Sequence, residues 1–319
     1  MSNAADASKR AKREHARELA REMREKDRKR RLRNRIFIQG GVGVGVLAIA
    51  AVIILVIVST NAPAGPGPKN MASDGILLTG DGTSVSAVTT GSVAADAEPV
   101  DTDFSKYTDK VNIVTYVDYQ CPYCAQFEAT NAEQIESWVQ AGLVNLEIHP
   151  IAFLDSASQG TKYSTRAANA AACVAQYDPN SYLAFNSAMF TNQPAESTSG
   201  LTDDEIKTIV SDAGITDSKV ATCIDDGTFT SWTKAETDRV LDARTAANGG
   251  DGSVIPNSNG AYFGGTPFVV IDGTQYSDSI TDATAFATAV ATAAQAKGIT
   301  DDSGTDATST PTPTPAATN

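Results

Sequence analysis

Two cysteines bracket a proline and a tyrosine, Cys121-Pro122-Tyr123-Cys124, at the junction between the apolar run Val111–Val117 and a stretch from Ala125 to Gln140 with helical periodicity. At a strand-to-helix junction this spacing puts the first sulfur at a helix N-terminus. There, unpaired N–H groups and the positive end of the macrodipole favour thiolate over thiol. Cys124 is then near enough to close a small disulfide ring, and Pro122 suits the first helical position, which needs no N–H. Thiol–disulfide chemistry at Cys121 and Cys124 is the reading that follows. A zinc half-site would need a second pair of ligands, and Cys173 and Cys223 are isolated from each other and from the two histidines. A purely structural bond is a poor reason for a four-residue loop, which removes little chain entropy. No metal and no cofactor beyond the redox-active disulfide is expected.

Charge is distributed unevenly along the 319 residues. Residues 1–35 hold 14 of the 25 Lys/Arg and 6 of the 38 Asp/Glu, about +8, whereas the remainder holds 11 basic against 32 acidic residues, about −21. Between head and body, Ile36 to Val58 runs for 23 residues without a charge, long enough to cross a hydrocarbon core of roughly 30 Å as a helix. A cleaved signal peptide would have a shorter apolar region, and the nearest small-x-small site, Ala62-Pro63-Ala64, contains proline. An uncleaved signal-anchor is therefore expected, with the basic flank holding residues 1–35 in the cytoplasm and the acidic body outside. The head, with i,i+4 pairs such as Glu22 and Lys26, reads as an orientation signal lying against anionic lipid rather than a nucleic-acid contact. Gly41 and Gly45 form a GxxxG that could pair helices, though glycine is common in such spans.

Residues 59–73, Pro/Gly-rich, read as a flexible linker, and residues 300–319, rich in Asp, Ser, Thr and Pro, as a disordered tail. Between them lies one folded body, 74–299. Gly75 to Leu78, followed by Gly80-Asp81-Gly82, suggests an early hairpin. A helix from Pro122 turns Phe127, Ile135, Trp138 and Val139 inward and stops at Gly142, and Val144, Leu146 and Ile148 alternate with polar residues as a strand. His149 falls on the polar phase of that strand and is expected to be a partly exposed structural residue. Residues from about 156 to 247 turn helical. Phe268–Ile271 is a further strand, Asp272-Gly273 a turn, Gln275 to Ser277 a short strand, and Asp282 to Lys297 a closing helix with Phe286 and Val290 inward.

This order, together with Val117-Asp-Tyr-Gln-Cys-Pro-Tyr-Cys124 and Gly264-Gly-Thr-Pro-Phe268, resembles the DsbA-type thiol oxidoreductases, and more closely their membrane-anchored actinobacterial relatives. The resemblance covers roughly residues 74–298. It implies an α/β thioredoxin fold with a large helical insertion, preceded by one transmembrane helix. It implies a cis Pro267 facing the cysteine pair, with Thr266 presenting backbone to an extended substrate strand, and Pro122, Tyr123 and Asp118 as supporting residues. The activity it implies is oxidation of reduced, newly secreted proteins at the cell surface, with a VKOR- or DsbB-like membrane protein as reoxidant.

Two departures from the family stand out. Six residues before the first cysteine, where many thioredoxins carry a buried acid, this chain has Thr115; the nearest acid, Asp118, either assists proton transfer through water or caps the strand-to-helix loop. Tyr123 stands where strongly oxidising members have histidine and offers at most a hydroxyl. A disulfide reductase or isomerase of the same fold stays open as an alternative, as does a non-catalytic surface binding module or chaperone. With one cysteine pair assigned in an oxidising compartment, Cys173 and Cys223 are expected to bond, closing a loop of about 51 residues.

Overall fold

Val111–Val117 is buried along its whole length, as expected for a β-branched strand flanked on both edges and covered on both faces. In the computed structural model, which describes residues 64–247 and 254–299 together with Arg21, Met23, Lys26 and Lys29, this strand is β3 of a six-stranded sheet. The others are β1 (Ile76–Gly80), β2 (Val85–Ala87), β4 (Val144–Pro150), β5 (Phe268–Ile271) and β6 (Thr274–Gln275), in the order β2-β1-β4-β3-β5-β6. β3 and β4 are parallel, with Val111 opposite Val144, and α1 (Pro122–Gln140) is their crossover. β5 returns antiparallel to β3, with Thr115 opposite Val269.

Five helices occupy the insertion: α2 (Tyr163–Tyr177), α3 (Tyr182–Thr191), α4 (Asp203–Asp212), α5 (Ser218–Asp226) and α6 (Thr230–Ala247). Each boundary has a local cause. Asp178-Pro179 ends α2, a reciprocal Thr202–Glu205 capping box starts α4, and Asp217 caps α5. The alanine-rich α2 is buried over most of its length, because small side chains let its neighbours approach closely. A bond between Cys173 and Cys223 ties α2 to α5. The closing helix α7 (Ala283–Ala296) is capped by Asp282 and packs Phe286, fully buried, edge-on to Phe127 and against Trp138 of α1.

The fold corrects two expectations. The Pro/Gly-rich stretch ahead of residue 74 is no loose linker from Ala64 onward: Met71 is fully buried, Gly67 N–H donates to Val93 O, and Asn70 Nδ2 donates to Ala175 O. Gly67 is required there, since a Cβ would lie 2.7 Å from the Trp232 indole nitrogen. His149 is buried, not partly exposed. The polar phase of β4 faces a second covered layer in which Asn145 donates to Asn112 at 2.9 Å and Glu147 pairs with His149, so alternation marked two chemistries rather than core and solvent. The expected span, Ile36 to Val58, and the tail, 300–319, lie outside the described residues; among those described, no helix is long and apolar enough to cross a membrane.

Candidate active site

Cys121 is the N-cap of α1, with Pro122 at the first helical position, and Cys124 follows one turn inside. Both are free thiols and nearly inaccessible, Cys124 at 1% and Cys121 at 4%, while Tyr123 between them is 62% exposed. The turn is held from three directions. Asp118 O accepts from Cys121 N–H, and its carboxylate accepts from Gln120 N, Leu154 N and Ser164 Oγ at 2.7–2.8 Å. The Cys121 thiol donates to Thr266 O at 3.2 Å, and the Thr266–Pro267 peptide is cis. From the insertion, Gln193 Nε2 donates to Cys121 O at 2.9 Å.

These contacts split the two thiols. Cys121 is lowered from 9.0 to about 6, chiefly because the Cys124 thiol donates to its sulfur. The Thr266 side chain and the backbone N–H groups of Cys124 and Tyr123 add to this, against burial. The helix terminus therefore contributes through its N–H groups, but the neighbouring thiol contributes most. Cys124 is pushed well above its ordinary value by burial and by the hydrogen bond it donates to Cys121. At neutral pH one sulfur is a thiolate and the other is not.

Asp118 caps the loop, and burial raises its carboxyl to about 7 despite three donors. Thr115 sits below the cysteines with its hydroxyl donating to Glu147 O at 3.4 Å. Sequence reading missed Glu128. One helical turn beyond Cys124, it lines with Thr115, Cys124 and Asn186 a cavity of about 20 Å³, room for one water molecule. Burial raises this carboxyl to about 7 as well, against a hydrogen bond from Asn186 Nδ2. An i,i+4 spacing from the second cysteine was the available signal. Gln193 was missed too, because a residue 72 positions away in a loop has no periodicity to betray it.

A parallel β-α-β unit, a helical insertion, and an antiparallel β-β-α unit whose cis-proline faces a CxxC pair define a thioredoxin-like domain. Residues 108–247 match the family model described as Thioredoxin; the β5-β6-α7 unit and Pro267 lie beyond that span. Among curated proteins, the serine/threonine-protein kinase PknE of Mycobacterium tuberculosis is 40% identical over 90 residues, 27% of this chain and 16% of that protein. The match thus spans about a sixth of that relative's length. Solved structures similar to the chain include DsbG, a disulfide bond oxidoreductase of M. tuberculosis, in its reduced form, with 26% identity, a TM-score of 0.44, and coverage of 56% of this chain and 76% of that one. Reduced DsbA from M. tuberculosis is 25% identical with a TM-score of 0.44, covering 69% of this chain and 99% of that one.

Proposed function

We propose that the chain is an extracytoplasmic, membrane-tethered thiol–disulfide oxidoreductase that introduces disulfides into secreted proteins. The observation that carries this reading is the split between the thiols, Cys121 at about 6 and Cys124 raised, beside a cis-proline turn. In the oxidised enzyme a substrate thiolate attacks Cys121 Sγ, forming a mixed disulfide and expelling Cys124 as the leaving group, which takes up a proton. The substrate's second thiolate attacks the substrate sulfur of that bond and expels Cys121 as a stabilised thiolate. The substrate loses two electrons and the enzyme becomes the dithiol. Asp118 and Glu128, both near neutral pKa and close to Cys124, are suited to moving its proton. Turnover requires a membrane-embedded reoxidant of VKOR or DsbB type.

Potential decides direction. Stabilising the Cys121 thiolate stabilises the reduced form, and each unit of pKa depression is about 1.4 kcal/mol, or about 30 mV for two electrons. The soluble body equilibrated with glutathione is expected to be more oxidising than thioredoxin, whose potential is about −270 mV. Tyr123→His is expected to lower the Cys121 pKa and raise the potential together, about 30 mV per unit. A wild-type value at the thioredoxin level assigns the chain to the reductases.

The membrane topology rests on the uncharged run Ile36 to Val58 behind its basic flank, and the Cys173–Cys223 bond fits an oxidising compartment. Protease added to intact spheroplasts is expected to digest the acidic body and spare an N-terminal tag. Protection of the body reverses the orientation.

A further inference from the structure

The reverse face of the sheet holds a second concavity. Side chains along β3 alternate between faces: Thr115 and Val117 line the small cavity at Cys124, whereas Tyr116 lines one of about 620 Å³ that neither cysteine borders. Its inner wall is the Tyr116 ring stacked on His149, centroids 4.3 Å apart, with Glu236 of α6 beside them. The imidazole is fixed from behind, where a Cβ on Gly75 would lie 2.4 Å from Nε2. His149 Nε2 pairs with Glu147 Oε1 at 3.1 Å, but His149 Nδ1 and both carboxyl oxygens of Glu236 are buried without hydrogen-bond partners. The nearest approach between them is 3.9 Å.

Glu236 is only 1% exposed, and burial and the neighbouring Asp74 push its carboxyl well above the usual carboxylate range against the opposing pull of Arg239, so the ionised form is unfavourable unless a cation meets it. Arg239, the one Lys or Arg among the described lining residues, is already bound to Asp74, with Nε at 2.8 Å. Glu98 and Asp101 make the mouth acidic, while Pro99, Val240 and Ile255 give an apolar wall suited to methylene groups. An anion is excluded by charge, and a neutral apolar ligand would leave Glu236 unmatched. A bare divalent ion fits poorly: among the described residues no three His, Cys, Asp or Glu side chains converge as ligands, and the volume is that of a small-molecule site.

We propose that this cavity binds an organic cation, a primary ammonium group on an aliphatic chain, with the buried Glu236 carboxylate as its ion partner and the Tyr116–His149 stack as its floor. A free polyamine and a lysine side chain share that chemistry. Binding, not thiol exchange, is the readout, so the outcome is separate from the redox reading.

Spermidine, 1-aminopentane, N-acetyl-lysinamide and the neutral 1-pentanol are titrated calorimetrically into the full-length protein at 0.15 M salt, which screens diffuse attraction to an acidic chain. The amines are expected to saturate one site and pentanol none. Binding of N-acetyl-lysinamide as well as spermidine assigns the site to lysine side chains; binding of spermidine without it assigns the site to polyamines. Nuclear Overhauser contacts are expected from the 1-aminopentane methylenes to the Tyr116 ring and Ile255 methyls in the wild type. Glu236→Gln, which keeps the side-chain shape, is expected to weaken amine binding by about tenfold or more. The proposal is overturned by unsaturable wild-type binding, by contacts to other residues, by unchanged affinity in Glu236→Gln, or by stoichiometric calcium binding that displaces the amine. If that variant does not fold, the wild-type contacts decide alone.

Discussion

Iodoacetamide at pH 7 is expected to modify reduced Cys121 and leave Cys124 unlabelled. Alkylation follows the thiolate fraction, so labelling of Cys121 should rise through a midpoint near pH 6 and level off, while Cys124 should stay inert to well above pH 9. Cys121→Ser is expected to cut exchange by a factor on the order of 10³ or more, as loss of an essential nucleophile does. Cys124→Ser keeps the nucleophile and is expected to accumulate mixed disulfides with secreted proteins. Equal labelling of the two sulfurs, with no trapped adducts, would remove the catalytic assignment. The same depression bears on stability. The folded pKa of Cys121 lies below its ordinary 9.0, so the reduced protein gains stability that is complete above pH 9, shrinks as pH falls, and is gone below about 6. Its melting temperature relative to the oxidised form should therefore rise with pH across that window.

Removing the Cys173–Cys223 bond is expected to destabilise the protein by about 4 kcal/mol, because it closes a loop of 50 residues' separation. For a body of this size that is a drop in melting temperature on the order of 10 °C. Both sulfurs are buried between α2 and α5, and neither is among the groups that tune Cys121, so Cys173→Ala/Cys223→Ala should still exchange thiols at a temperature where it remains folded. Differential scanning calorimetry of the double variant, with an exchange assay at low temperature, checks both halves. An unchanged melting temperature would show that the bond constrains nothing.

Periodicity carried most of the fold into view. The runs Val111–Val117 and Phe268–Ile271 read correctly because strands covered on both faces are near-continuously apolar, and the inward Phe127, Trp138 and Phe286 because each helix has one covered face. His149 misled because alternation reports two environments without saying that the second is wet; here Glu147, Asn145 and His149 satisfy much of their polarity within the protein. Pro and Gly between 64 and 70 misled for a related reason. Composition signals the absence of regular structure, not the absence of contacts, and Gly67 is there to let Trp232 close in. At the site, the cysteines, Thr266 and Pro267 were legible from motif and order. Glu128 and Gln193 were not, since their relevance depends on which side chains the insertion brings back to α1.

The contact from Gln193 to the carbonyl of Cys121 spans 72 residues, and that from Thr266 spans 145. During synthesis the Cys121–Cys124 pair thus emerges long before the distant groups that hold it. A nascent chain stopped short of Thr266 has the Cys124 thiol and the helix N–H groups that lower Cys121 but lacks the Thr266 contribution and the burial of the finished fold, so the full split between the thiols is a late event in the life of the chain. By the same reasoning, the tetrapeptide is only partly portable: transplanting Cys121 to Cys124 into another scaffold would carry the Cys124 thiol and the local N–H groups but leave behind the Thr266 contribution and the burial that raises Cys124.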